Sequence, residues 1–290
     1  MLDFLFGNKR IKFYAWASLV SQILIVVTGG AVRLTGSGLG CPTWPECEPG
    51  SLTNVPELGI HGVIEFANRL LTFVLLLIAL FTFITVLRLK KNERPVFFWT
   101  SLVLGLGIVA QAVIGGITVL TGLNSWIVGA HFIVSGALIA VATVLVWQAR
   151  GHQIQLIPKA FRSHVVLTYF VGVLTVVIGV MVTGSGPHAG DADTPRNGLD
   201  SDLLVHVHSY PAYALLALVL LQIVYLVRLK QKLVGTLVLL AAIGAQALVG
   251  LVQSWYGLPI ALVAIHMLGA SVLVSLLTNQ LLVYRAETKN

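Results

Sequence analysis

The chain has 290 residues, of which 57% are hydrophobic and only 10% charged, and its formal net charge is +7. Soluble domains carry about a quarter of their residues as charged side chains, so this composition excludes an ordinary soluble fold, a disordered chain and a collagen-like one. Its apolar runs far exceed the roughly 9 to 11 alternating residues of a membrane strand, which excludes an outer-membrane barrel and leaves an all-α, polytopic membrane protein.

Eight segments each supply the roughly 20 apolar residues that a helix needs to cross hydrocarbon. They are predicted over residues 12–32, 62–87, 96–120, 125–147, 163–183, 203–227, 233–253 and 258–284. The first is too long for a signal-peptide core and lacks a small-residue cleavage site, so it reads as helix 1. Fifteen of the 18 basic residues, from Lys9 to Lys289, fall in one alternate set of connections. The opposite set holds Glu46, Glu48, Glu57, Asp191, Asp193, Asp200 and Asp202 against Arg33 and Arg196. By the positive-inside rule the basic set is cytoplasmic, with both termini inside the cell membrane. The positive charge thus records insertion into a lipid bilayer. With no basic stripe interleaved with exposed aromatics, nucleic acid is not a partner.

Taken along the chain, the segments repeat. Helix 1 ends in Leu34-Thr35-Gly36-Ser37-Gly38 and helix 5 in Val182-Thr183-Gly184-Ser185-Gly186. Helix 2 ends in Val86-Leu87-Arg88-Leu89-Lys90 and helix 6 in Leu226-Val227-Arg228-Leu229-Lys230. Helix 3 contains Ala110-Gln111-Ala112-Val113-Ile114-Gly115, and helix 7 contains Ala245-Gln246-Ala247-Leu248-Val249-Gly250. The expected architecture is therefore two four-helix halves, 1–150 and 151–290. Four crossings return the chain to its starting side, so the halves run the same way and their axis lies along the membrane normal. Many transporters use inverted repeats instead.

Within this frame the histidines sort by depth. His152 and His164 are assigned to an inner loop and His188 to an outer one, as solvated side chains. His131 of helix 4 aligns with His266 of helix 8, at the spacing that superposes the two Ala-Gln pairs. His208 of helix 6 aligns with Asn68 of helix 2, while His61 lies seven positions before Asn68, on nearly the same face and two turns further out. His206 is about 200° around the helix from His208 and points away from it. Ionisable groups recurring at matched places in a membrane mark a functional site more often than polar glue between helices. Zinc fits poorly, because no cysteine or carboxylate completes a ligand set. One histidine from each of two facing helices suits a haem, with Gly129, Gly136 and Gly269 as candidate points of close approach.

Glu65 breaks the repeat, since its counterpart is Val205. It reads either as an ion pair with Arg69 at i, i+4 or as a proton-handling carboxylate in one of two haem pockets. Arg33 and Arg69, near the outer surface, read as partners for haem propionates or, for Arg69, for Glu65. Cys41 and Cys47 fall in the first outer loop, in a compartment that favours disulfides, as a structural staple or a redox-active pair. The spacing does not suit c-type haem attachment.

The stretch Gly29-Gly30-Ala31-Val32-Arg33-Leu34-Thr35-Gly36-Ser37-Gly38-Leu39-Gly40-Cys41-Pro42-Thr43-Trp44-Pro45 resembles the helix 1 exit of the haem A synthase family. The likeness continues through Ile64-Glu65-Phe66-Ala67-Asn68-Arg69-Leu70, through Gln111 to Val119, and through the histidines of helices 4, 6 and 8. The resemblance implies an enzyme that oxidises a methyl group of haem O to the formyl group of haem A by successive hydroxylations. It implies a haem b in the C-terminal half with His208 and His266 as axial ligands. It also implies a substrate-haem pocket in the N-terminal half, with His131 and with Glu65 as the catalytic carboxylate. An electron donor is implied, with haem O synthase and a second copy of the chain as candidate partners, and a Cys41–Cys47 disulfide is expected. The family commonly has Glu-x-x-His-Arg in helix 2, where this chain has Asn68, and the same-face position of His61 makes it the expected replacement ligand. A bis-histidine cytochrome b that only relays electrons and a haem transporter are the alternatives.

Overall fold

A computed structural model describes Gly7 and residues 10–188, 190–191 and 193–287, so Lys9 and Lys289 of the basic set lie outside the described residues. Eight long helices account for most of it: α1 (Ile11–Leu34), α2 (Gly59–Leu87), α3 (Arg94–Leu120), α4 (Ser125–Ala149), α5 (Lys159–Ser185), α6 (Ser201–Arg228), α7 (Val234–Trp255) and α8 (Ile260–Val283). All eight are long and apolar enough to cross a bilayer, and the chain is an all-α, multi-pass membrane protein. Among the described residues there are also a 3-10 turn at Pro56–Leu58 and two three-residue strands, β1 (Gln155–Ile157) and β2 (Tyr284–Ala286), paired in parallel.

Local chemistry sets where the helices stop. The Asn124 side chain caps α4 by accepting the Trp126 amide at 3.0 Å, and Asp200 caps α6 by accepting the Leu203 amide at 2.9 Å. Each satisfies a helix N-terminal donor that would otherwise be orphaned. After α1, Gly36 turns the chain with φ +65°, a conformation open to glycine and costly for a residue with a Cβ.

In lipid, burial from water does not drive one helix onto another, so packing and interhelical hydrogen bonds must. α1 packs on α2 and α4, α2 on α3, and α3 on α4, closing a ring of four, and α5 to α8 close a second ring in the same order. The rings meet where α1 and α4 contact α8 and where α4 contacts α5. Leu19, Leu104, Ile139 and Leu145 centre the core of the first ring, and Leu215, Val219, Leu239 and Leu273 that of the second. Across the junction the Thr143 hydroxyl donates to Ser275 Oγ at 2.9 Å, and the Met267 thioether fills the space where a Cβ on Gly30 would stand.

Two histidine placements differ from the sequence reading. His164, assigned from sequence to an inner loop although it falls inside the 163–183 span, belongs to α5, which begins at Lys159. Its ring stacks on Phe161 with an interplanar angle of 10°, and its Nε2 contacts the Leu218 carbonyl at 2.9 Å. His188 is half-buried, and its Nε2 contacts the Leu258 carbonyl at 2.9 Å, joining the α5–α6 and α7–α8 connections. In both cases a backbone carbonyl within reach replaces the expected solvent.

Candidate functional site

The loop between α1 and α2 is folded back onto α2. Cys41 and Cys47, six residues apart in sequence, form a disulfide, and both are 0% exposed. Gly40 lies so close to the first turn of α2 that a Cβ there would collide with the His61 carbonyl. Gly116 of α3 likewise leaves room for the Trp44 ring. Beneath this loop sits Glu65, 5% exposed. Its Oε2 accepts the Cys41 amide at 2.6 Å, and its Oε1 accepts Arg69 Nη2 at 2.6 Å and Nε at 3.1 Å. Arg69 also donates to the carbonyls of Cys41 (3.0 Å), Thr43 (3.0 Å) and Glu46 (3.2 Å). Of the two partners that the sequence left open for Arg69, the structure shows Glu65, and it adds the loop carbonyls. The pair is a clamp that anchors the disulfide loop and also a buried carboxylate, confined to the first ring: Val205, the repeat counterpart, is exposed.

Arg33, at the outer end of α1, reaches the other ring. Its Nε donates to the His188 carbonyl at 2.5 Å and its Nη2 to the Thr183 carbonyl at 2.7 Å. His61 stands in the first turn of α2 and lines an outward-facing cleft of about 450 Å³ with Gly36, Leu39, Gly40, Leu58 and Asp191. Its Nδ1 meets Ser37 Oγ at 2.9 Å.

Deeper in the helices, Asn68 Oδ1 on α2 and the Nδ1 atoms of His131 (α4), His208 (α6) and His266 (α8) are four of the twelve buried side-chain polar atoms without a hydrogen-bond partner among the described residues. The sequence alignment paired these same four. A glycine on the neighbouring helix makes room for each imidazole. A Cβ on Gly115 would lie 3.4 Å from His131 Cε1, one on Gly250 3.4 Å from His266 Cε1, and one on Gly179 2.9 Å from His208 Cε1. Asn68 has Gly29 of α1 beside it, with a Cβ-to-Nδ2 distance of 4.0 Å. The backbone under two of the histidines is held alike in both rings. Gln111 Nε2 donates to the His131 carbonyl at 3.0 Å and Gln246 Nε2 to the His266 carbonyl at 3.0 Å. Gln111 also hydrogen-bonds Ser135 Oγ. His206 is exposed, on the other side of α6.

The glycines named from sequence are used differently. Gly269 makes room for the Gln246 side chain and Gly129 lies against Val180, while nothing lies within 4 Å of a Cβ on Gly136. Gly115, Gly179 and Gly250 are the ones that face imidazoles. Two of them were readable, because Gln111-x-x-x-Gly115 and Gln246-x-x-x-Gly250 put a donor and a gap on one helix face in both halves.

Unpaired buried polar atoms are costly and call for an explanation. Imidazole nitrogens on facing helices beside glycines fit an iron macrocycle gripped from the side chains, with the ring edges free to approach backbone. His208 and His266 in the second ring, and His131 and Asn68 in the first, are the residues that would face such a group.

Residues 12–278 match the family model described as cytochrome oxidase assembly protein, COX15-CtaA. A Heme A synthase of Lysinibacillus sphaericus is 32% identical over 185 residues, covering 60% of this chain and 58% of that protein. A Heme A synthase of Geobacillus thermodenitrificans is 28% identical over 138 residues, covering 48% and 42%. A Protoheme IX farnesyltransferase of Thermus thermophilus is 32% identical over 115 residues, 39% of this chain and 18% of that one. The chain spans about half the length of the Heme A synthases that it matches. With the family model extending from α1 into α8, the chain belongs to the COX15-CtaA family of cytochrome oxidase assembly proteins.

Proposed function

We propose that this protein oxidises the methyl group of haem O to the formyl group of haem A by successive hydroxylations within the membrane. The observation that carries the reading is the set of inward imidazoles on α4, α6 and α8, each with an unpaired buried nitrogen, together with a buried carboxylate in only one ring. The second ring, residues 151–290, holds a haem b between His208 and His266; bound haem supplies one-electron chemistry. The first ring, residues 1–150, takes haem O as substrate, with His131 beside the macrocycle and Glu65 as the carboxylate that handles protons at the reacting edge. Arg33, held by loop carbonyls at the outer end of α1, is the cation offered to propionates.

The loop clamp serves this chemistry by fixing the Glu65 side chain. Its Oε2 accepts the Cys41 amide, and Arg69 on Oε1 stabilises the charged form. Both termini lie on the cytoplasmic side of the cell membrane in this reading, and the two rings are parallel repeats. The match to a farnesyltransferase supports a farnesylated protohaem as substrate and a haem O synthase as partner, beside an electron donor and a second copy of the chain.

The test is chemical identification of the haems bound and produced when the full chain is expressed with a source of haem O. Wild type yields haem A or a hydroxylated intermediate. Glu65→Gln, which keeps the side-chain shape and an acceptor for Cys41, retains haem b and yields no oxidised product. Wild type that keeps haem b and leaves haem O unaltered would replace this reading with that of an electron-relaying cytochrome b.

A further inference from the structure

We infer that Asn68 leaves one face of the haem in the first ring without a protein ligand, so that this haem is held by His131 alone and accepts a small exogenous ligand opposite it. The inference rests on the proposed haem sites and concerns a departure particular to this chain.

In the second ring the imidazole on α6 leans on the glycine of α5, and the imidazole on α8 leans on the glycine of α7. The first ring repeats the arrangement helix by helix. Asn68 on α2 lies beside Gly29 of α1, and His131 on α4 beside Gly115 of α3. Asn68 thus holds in the first ring the repeat position that His208 holds in the second, with His131 at that of His266. Its Oδ1 is buried and unpaired, as are the imidazole Nδ1 atoms.

An asparagine differs from a histidine there in what it offers. A carboxamide presents two N–H donors and a carbonyl acceptor but lacks the imidazole nitrogen that commonly ligates haem iron. The same amide that fails as an axial ligand is suited to donate a hydrogen bond to an oxygen atom held on the open face. His61 is not at the position equivalent to His208: it lies two turns away along α2, in its first turn, and lines the cleft with Gly36 and Gly40. The second ring carries a histidine at both of its positions, which leaves no such face. The two haems should thus differ in coordination as well as in fate.

The experiment uses the full chain loaded with ferrous protohaem, with carbon monoxide as the probe and absorption and spin state as the readouts. Wild type is expected to bind carbon monoxide at one of two haems. Asn68→His should convert that haem to six-coordinate and low-spin, cutting the reactive fraction at least tenfold, while His61→Ala should leave it unchanged. Asn68→Gln keeps an amide and should remain reactive, which separates loss of the open face from misfolding. Wild type with two low-spin, unreactive haems, made reactive by His61→Ala, would assign the ligand to His61 and overturn the inference, as would a reactive fraction untouched by Asn68→His. Failure to bind protohaem at either ring would instead remove the reading on which it rests.

Discussion

Replacing Arg69 by Met should loosen the first outer loop far more than the loss of one surface ion pair would. Arg69 makes two bonds to Glu65 and three to loop carbonyls, and in side-chain terms it is 19% exposed against 7% for Glu65. Removing one member of a buried pair strands the other charge and costs about 3–5 kcal/mol; partial exposure of Arg69 places this case near ~3 kcal/mol. At a factor of ten per roughly 1.4 kcal/mol, local opening rises on the order of a hundredfold. The Cys41 amide reports it directly, since its acceptor is Glu65 Oε2. Hydrogen exchange in detergent at neutral pH should show that acceleration over residues 39–52, with helices α5 to α8 unchanged. The double variant Glu65→Gln/Arg69→Met keeps an acceptor for Cys41 and has no stranded charge, so it should exchange more slowly than Arg69→Met alone. Equal exchange in wild type and Arg69→Met, or a double variant that exchanges faster than the single one, would refute the clamp.

Gly116→Ala puts a methyl group into the Trp44 ring; overpacking of this kind costs about 1–3 kcal/mol and should appear as a lower Tm with a shifted Trp emission. Cys41→Ser/Cys47→Ser opens a short ring, for which loop-closure entropy gives about 2 kcal/mol, measurable as lost resistance of the loop to proteolysis. Gln111→Leu and Gln246→Leu each remove one bond to a histidine carbonyl. Interhelical bonds in membranes are worth about 0.6 kcal/mol on average, so these variants should fold normally and reduce haem retention only in their own ring, as read by bound haem per chain.

Much of the frame was readable before any coordinates. Apolar length and loop charge located all eight helices, because hydrocarbon thickness and backbone satisfaction leave a membrane chain few other choices. The alignment of Asn68, His131, His208 and His266 followed from short matched strings, and in the structure each carries an unpaired buried polar atom, as do eight other side chains. The i, i+4 pairing of Glu65 with Arg69 was one of two open readings, and only the folded loop, which adds four backbone contacts, shows it. Other features depended on contacts that no local pattern records. Whether a helix glycine faces a ring, a Gln or a Val is set by helix rotation, which is why Gly269 was assigned to a macrocycle and serves Gln246. His188 and Arg33 meet across about 155 positions of sequence, and the β1–β2 pair joins the inter-ring linker to the segment after α8. Three-residue strands have no periodicity to read.

The most direct test of the account is the number of haems bound per chain, measured on wild type, His131→Ala and His266→Ala reconstituted with protohaem. Two in wild type is expected, falling to one in each variant, with the His208/His266 spectrum lost only in His266→Ala. Binding that is unchanged in both variants would contradict the assignment of these imidazoles to haem.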